Sequence, residues 1–307
     1  MKQLRGKDTI VDSTLKEVKA HGTEGFPFAV YLNDFSSFQN DGICWHWHDE
    51  VQITLITEGE FACQAGGEKV IMHPGEIIFF NSCGLHQITP VKRGYGKLYS
   101  FIWRPELLSG TTENDLYENC IEPLLKSPLK YVYFSLEHPL NSRLRSGLRK
   151  IINLMLEKEP FFQMQVSSQL TRIWLKLCEC ADADTMEGMT EEPQEALVEK
   201  DEEKVKKALS YIQEHYAEKI SLEAIAKAAM TNRSELCKCF RRILDTTPND
   251  FLNRFRVNQS LALLENPGLR VVEIAEMVGF CSSSHFGTYF TKYMGCTPVQ
   301  YRKTISM

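Results

Sequence analysis

Residues 220–302 carry one pattern twice, and its spacing limits the fold more than any other feature of the chain. Ile225–Ala226 is followed by Phe240, Thr247–Pro248 and Phe251, and Ile274–Ala275 by Phe290, Thr297–Pro298 and Tyr301. Leu236, Phe240, Pro248 and Phe251 recur at an offset of 50 as Phe286, Phe290, Pro298 and Tyr301, whereas the Ile–Ala pairs recur at 49. The second copy therefore holds one extra residue in its turn. Each copy reads as a short helix, a tight turn and a longer helix, the helix-turn-helix arrangement used twice.

Local signals agree with that reading. Ahead of the first copy, Val205, Leu209 and Ile212 share a helical face. Ser221 predicts the N-cap of a helix burying Leu222, Ile225, Ala226 and Ala229, with a turn at Met230–Thr231. Asn232 and Glu235 have capping-box spacing for a helix to about Leu244, which buries Leu236, Cys239, Phe240 and Ile243. Its outer face presents Arg233, Ser234, Cys237, Lys238, Arg241 and Arg242. In the second copy Val271, Ile274, Ala275 and Val278 lead to Gly279, which suits a turn at positive φ. Ser282 then caps a helix burying Phe286, either Tyr289 or Phe290, and Tyr293; its outer face presents Ser283, Ser284, Gly287, Thr288 and Lys292.

Thr247–Pro248 pairs an N-cap with proline at the first helical position, starting a long helix that ends near Asn266–Pro267. Two helices held on such an axis can enter successive major grooves, ~34 Å apart on one side of DNA. Lys and Arg then supply phosphate contacts while short polar side chains read base edges.

Charge separates the two ends of the chain. Residues 204–307 hold 15 Lys and Arg against 9 Asp and Glu, whereas the preceding 203 residues hold 20 against 31. A basic C-terminal part on an acidic protein implies a polyanion bound by that part alone. Between them, residues 181–203 hold ten acids and one Lys, and read as an acidic linker. The expected domains are therefore 1–180 and 204–307. In residues 140–180, Leu144, Leu148, Ile151, Ile152 and Met155, then Leu170, Ile173, Trp174 and Leu177, have helical spacing that suits either core or a dimer face. No apolar run approaches the roughly 18–20 residues that span a bilayer, and MKQLRGKDTIVD lacks the apolar centre of a signal peptide. The ten cysteines include no CxxC pair, so a reducing cytoplasm is the expected location, with no membrane partner. Cys178 and Cys180, like Cys237 and Cys239, lie two apart, a poor spacing for joint chelation from one helix.

Residues 44–60 alternate with period two, the signature of a strand or hairpin arm. Trp45, Trp47, Val51, Ile53 and Leu55 form one face and His46, His48, Glu50, Gln52 and Thr54 the other, for which solvent exposure is the ordinary explanation. Residues 70–81 predict a strand, a Pro74–Gly75 turn and a second strand, and His86 lies just beyond. His46, His48 and His86 could supply three imidazoles to an open-site metal ion.

The stretch from Ser221 to Arg302, roughly a third of the chain, resembles the DNA-binding domain of AraC/XylS-type transcription regulators; IAKAAMTNRSELCKCFRR, TTPNDFLNRFRVNQSLALL, VVEIAEMVGFCSSSHFGTYF and GCTPVQYRK carry the likeness. That resemblance implies base reading by Ser234, Cys237 and Lys238 in the first copy and by Ser283, Ser284 and Thr288 in the second. Met230 stands where many relatives have glycine, and Thr288 where many have Arg. The HxH strand, the Pro-Gly-Glu turn and the later His resemble the cupin-type sensor domain that commonly precedes such a domain. In that barrel the HxH face points into the pocket, so His46, His48, Glu50, Gln52 and His86 would bind an effector. Flanking tryptophans would suit a hydroxyl-rich ligand such as a sugar. Metal-binding cupins place Glu four or five residues beyond the second His, where this chain has Gln52 and Ile53.

The resemblances together imply an α+β protein: an N-terminal cupin-like β-barrel with dimerisation helices, then an all-α domain with two helix-turn-helix units. The expected function is a transcription regulator, an activator by family tendency, that binds double-stranded DNA under control of a small-molecule effector such as a carbohydrate. A homodimer and RNA polymerase are the expected protein partners, no cofactor is expected, and the protein is expected not to be an enzyme. The alternative is a metal-dependent cupin enzyme tethered to DNA, with His46, His48 and His86 as ligands.

Overall fold

The computed structural model describes residues 11–12, 15–37, 42–127, 129–187 and 192–305. The chain divides into two compact units, which meet in sequence at Glu199–Lys200. Strands of the first unit are β1 (Phe28–Asp34), β2 (Ile43–His46), β3 (Val51–Glu58), β4 (Phe61–Ala65), β5 (Glu68–Met72), β6 (Ile77–Phe80), β7 (His86–Pro90), β8 (Lys97–Trp103) and β9 (Tyr131–Phe134). They form two antiparallel sheets, one of five strands in the order β1-β8-β3-β6-β9 and one of four in the order β2-β7-β4-β5. Short helices α1 (Glu106–Ser109), α2 (Asp115–Cys120) and α3 (Glu122–Lys126) precede β9, and α4 (Asn141–Glu157) and α5 (Phe162–Glu187) come after it.

The five-stranded sheet is covered on both faces. Ile53, Phe79 and Phe101 share one register row and pack against Leu144, Leu148, Ile151, Leu170, Ile173 and Trp174 of α4 and α5. Ile56, Ile78, Phe80 and Leu98 point the other way, onto Ile43, Phe61, Cys63, Met72 and Ile88 of the second sheet. The helical residues between 140 and 180 are thus core on their apolar face. Leu156, Phe161, Met164 and Leu175, elsewhere on these helices and their turn, are exposed.

Two expectations are corrected. Residues 44–60 are not one strand: β2 and β3 lie in different sheets, separated by Trp47–Glu50. Nor is the polar face exposed, the ordinary explanation for it; His46, His48, Glu50, Gln52 and Thr54 are all buried, as the resemblance to a cupin-type barrel implies. A second sheet opposite β3 leaves that face no path to solvent. The Pro74–Gly75 turn is present, but it carries the chain from one sheet to the other rather than closing a hairpin. Asn141 pins this crossing by donating to the carbonyls of Gly75 and Phe134 at 3.1 and 3.0 Å.

The second unit is helical: α6 (Glu192–His215), α7 (Leu222–Ala228), α8 (Arg233–Leu244), α9 (Pro248–Leu264), α10 (Val271–Met277), α11 (Ser283–Met294) and α12 (Pro298–Ile305). The acidic segment 181–203 is helical wherever it is described, to Glu187 and from Glu192; residues 188–191 lie outside the described residues. Its alanine, glutamate and lysine content favours helix despite the charge. Asp201 is fully buried, accepting hydrogen bonds from Arg242, from Lys204 at 3.3 Å and from the Cys239 thiol at 3.2 Å. No helix among the described residues is long and apolar enough to cross a membrane.

Side chains cap the helices where the sequence predicts. Ser221, Asn232, Thr247 and Ser282 accept from the backbone N–H three residues on, at 3.1, 3.0, 3.2 and 3.2 Å. Glu235 does not complete a capping box; it reaches Lys204 at 3.4 Å. Both helix-turn-helix turns need a left-handed residue, Met230 at φ 54° and Gly279 at φ 84°. A Cβ on Gly279 would lie 2.3 Å from the Tyr216 carbonyl oxygen. The same carbonyl accepts from the buried Arg256 of α9 at 2.8 Å, and Arg256 also donates to Glu218 O at 2.7 Å.

The two turns respond oppositely to substitution. Gly279→Ala combines a backbone clash with a disfavoured φ and is expected to cost about 2–3 kcal/mol. Met230→Gly relieves a non-glycine αL residue that costs about 1–2 kcal/mol, offset in part by about 0.5–1 kcal/mol of added chain entropy. Chemical denaturation of the two variants checks both signs; a neutral Gly279→Ala would refute the packing described.

Candidate functional site

The outer face of α8 is assembled by burial of Leu236, Cys239, Phe240, Ile243 and Leu244 on the opposite side. Arg233, Ser234, Lys238, Arg241 and Arg242 are exposed and Cys237 is half-buried. Lys238 and Arg241 make no ion pair among the described residues. Arg233 meets Glu223 at 2.7 Å, both well exposed, a pair easily exchanged for a phosphate. Arg242 differs, since it is ion-paired with the buried Asp201.

On α11 the buried set is Phe286, Phe290 and Met294, leaving Ser284, Thr288 and Lys292 exposed and Ser283 half-buried. Thr288 Oγ1 donates to its own helix, to Ser284 O at 3.0 Å. Lys292 lies 2.5 Å from Asp250 and over the Tyr289 and Tyr293 rings, 5.6 and 5.0 Å from their centroids. Tyr293 donates to Asp250 O at 3.1 Å, so the end of α11 is tied to the start of α9. Burial pushes the Tyr293 hydroxyl above its ordinary pKa, reinforced by Asp250. The surface that the sequence assigns to α11 is nearly neutral, and its one lysine is ion-paired with Asp250.

A second site lies between the sheets of the first unit. His46 on β2 is the cross-strand partner of His86 on β7, and their ring centroids are 4.2 Å apart. His48 lies 5.6 Å from His46 and 5.3 Å from His86. Gln52 on β3 faces them from the other sheet: its Oε1 is 3.2 Å from His48 Nε2, and its Nε2 donates to Thr54 Oγ1 at 3.0 Å. Glu50 stands apart from this cluster, with its carboxylate 3.5 Å from Arg104 and 4.0 Å from His48 Nδ1. The His46 pKa falls to about 4, chiefly through burial and further through the charge of His48. Burial likewise lowers that of His48. Both rings are therefore neutral at physiological pH.

The rest of the lining has no signature in the sequence. Glu17, Lys19, His21, Tyr31, Asn33, Ile43, Ser100 and Ile102 complete a small cavity with His46 and Gln52, with about 20 Å³ of open room. That is space for one or two waters. His21 meets Glu17 at 3.3 Å and Tyr31 Oη at 3.3 Å. Burial pushes the Glu17 carboxyl up, but the hydrogen bond to His21 and the charges of His21, His46 and His48 together hold the pKa below the ordinary value. Burial, with Glu17 and Glu50, pushes the Tyr31 hydroxyl up to about 12. Neither Trp45 nor Trp47 lines this cavity. His21 also borders a larger cleft of about 930 Å³ along residues 20–25, Pro27, Asp49, Arg104, Glu106, Leu107 and Gly110. Residues 17–25 have no periodicity to mark them, and only their position beside β1 brings them here.

Comparison with known proteins identifies both domains. Residues 225–304 match a helix-turn-helix domain family and residues 35–173 the AraC-like ligand binding domain. The chain is 32% identical over 298 residues to an uncharacterised HTH-type transcriptional regulator, YdeC, of Bacillus subtilis, covering 97% of this chain and 99% of that protein. It is 25% identical over 264 residues to the melibiose operon regulatory protein of Escherichia coli K12, covering 84% and 83%. Among solved structures, ToxT of Vibrio cholerae aligns over 91% of this chain and 98% of its own at 14% identity, with a TM-score of 0.40. With a regulator matched end to end and both component domains recognised, the chain belongs to the AraC family of DNA-binding transcription regulators that carry a ligand-binding domain.

Proposed function

We propose that α8 is the principal DNA anchor, that α11 is a weaker second contact, and that a small polar effector in the first unit controls them. The observation that carries the first part is the pairing of charges. Lys238 and Arg241 lie exposed on α8 with Ser234 and Cys237 beside them, and Arg233 is tied only by a surface pair. Arg242 and Lys292 are engaged by Asp201 and Asp250, so their contribution to phosphate binding is smaller. Ser283, Ser284 and Thr288 offer hydrogen bonds without charge.

The effector reading rests on the buried polar lining. Evolution toward stability alone replaces such groups with apolar ones, because each costs free energy unless paired. His46 and Gln52 line the small cavity with His48 and His86 packed beside them, and His21 borders both that cavity and the wider cleft, which Arg104 lines beside Glu50. That cleft falls in the usual range of roughly 300–1,000 Å³ for small-molecule sites. A carbohydrate suits this mixture of carboxylates, guanidinium and imidazole, and a relative named for the melibiose operon supports that class. The exposed Leu156, Phe161, Met164 and Leu175 favour a homodimer through α4 and α5. We read the protein as a cytoplasmic regulator and not an enzyme, acting as an activator with RNA polymerase as a further partner.

Two measurements check this reading. Lys238→Ala is expected to weaken operator binding about tenfold at moderate salt, while Thr288→Ala changes it less than about threefold; an unchanged affinity for Lys238→Ala would remove α8 from the groove. In a thermal-shift screen of sugars, an effector at 100 times its Kd is expected to stabilise the chain by about 2.7 kcal/mol. The shift should disappear in Arg104→Ala. A panel of carbohydrates that moves neither melting nor operator affinity refutes the carbohydrate assignment.

A further inference from the structure

We propose that Cys120 and Cys178 form a reversible intrachain disulfide by exchange with a low-molecular-weight disulfide such as oxidised glutathione. The site uses no residue assigned to DNA, effector or dimer, and does not depend on those readings. Cys120 ends α2, Cys178 lies in α5 58 positions further on, and the Cys178 thiol donates to the Cys120 carbonyl oxygen at 3.8 Å. Trp174, one helical turn before Cys178, donates its indole N–H to the same oxygen at 2.7 Å. Two side chains of α5 thus meet one peptide group of α2, which sets the two cysteines side by side. Both are thiols in the structure, Cys120 exposed and Cys178 half-buried.

The main chain holds them there. Ile121 and Leu124, just after Cys120, are buried in one core with Leu170, Ile173 and Leu177 of α5. Trp174 packs edge-on against Trp103 of β8, with centroids 6.5 Å apart. A disulfide sets its Cβ atoms about 3.8 Å apart, and the oxygen that Cys178 already reaches belongs to the residue whose Cβ it has to approach. With both backbones fixed, little conformational freedom remains to be lost when the sulfurs join.

The difference in exposure divides the chemistry. The Cys120 thiolate, open to solvent, attacks one sulfur of the small disulfide; a mixed disulfide forms, and the departing thiolate takes up a proton. Cys178, adjoining but more shielded, then gives up its proton, attacks the Cys120 sulfur and expels the second small thiol. Two protein thiols are oxidised and one small disulfide is reduced to two thiols. An excess of small thiol reverses both steps, the usual behaviour of intracellular disulfides that report redox state. The bridge closes a long loop that contains α3, β9 and α4, so it restricts the unfolded chain and stabilises the fold.

The test uses the full chain, reduced with dithiothreitol, desalted, held dilute with oxidised glutathione, blocked with iodoacetamide and digested with trypsin. Mass spectrometry is expected to find the peptides carrying Cys120 and Cys178 joined, two hydrogens lighter than their reduced sum, and dithiothreitol to separate them. The joined species is expected to vanish in Cys120→Ser and in Cys178→Ser. Neither Lys nor Arg separates Cys178 from Cys180, so both lie on one peptide. Cys180 sits about 200° further round the helix, and the bridge is expected to survive in Cys180→Ser. The oxidised chain should melt at a higher temperature than the reduced one, a shift absent from Cys120→Ser, whose exposed side chain can be changed without disturbing the core. Cys120 left fully alkylated or held as a glutathione adduct overturns the proposal. So does a bridge retained in Cys178→Ser, or one that joins two chains on a non-reducing gel.

Discussion

Strand β3 is buried on both faces, and that constraint organises the first unit. It lies at the centre of the five-stranded sheet, between β8 and β6. Val51, Ile53 and Leu55 point toward α4 and α5, each side chain contributing roughly 1.5–3 kcal/mol by leaving water. Gln52 and Thr54 point into the space between the sheets. A one-residue slip would exchange the two sets, burying polar groups under helices and apolar groups in the cavity. The cavity lining is in turn stabilised by pairing, with Gln52 bonded to Thr54 and Asn33 donating to Ser100 Oγ at 3.2 Å.

The helical unit is organised around different fixed points. The bend after α6 presents carbonyls at Tyr216 and Glu218 that Arg256 of α9 captures, and Gly279 packs against the same bend. Burial lowers the Arg256 pKa, and its guanidinium donates to the two backbone carbonyls in place of water. Asp201 and Asp250 tie down α8 and α11 through the exposed Arg242 and Lys292. These pairs orient the two helices and, in doing so, remove cations from the surfaces that the repeat alone would make equivalent.

Legibility in the sequence tracked the range of the interaction. The boundaries of α8 and α9 were readable, because Asn232 and Thr247 cap within three residues and the apolar spacing is local. The Pro74–Gly75 turn was readable for the same reason. The fate of the strands on either side of it was not: whether β5 and β6 pair or part depends on partners far along the chain, and they part. Composition misled at 192–203, where acidic residues suggested an unstructured linker while Asp201 had distant partners in Arg242 and Cys239. Residues 17–25 carried no signal, and they line the cavity only because tertiary structure lays them beside β1.

By itself the sequence determined the doubled helix-turn-helix, since repeat spacing, caps and turn residues act over a few positions and need no outside partner. It also determined that residues 44–55 have one apolar and one polar face. A period-two pattern cannot say which face meets solvent, because alternation is the same on an exposed edge and in a covered sheet. Only the second sheet, closing over β3 and setting His86 beside His46 some forty residues distant, turned that polar face into the wall of a buried site.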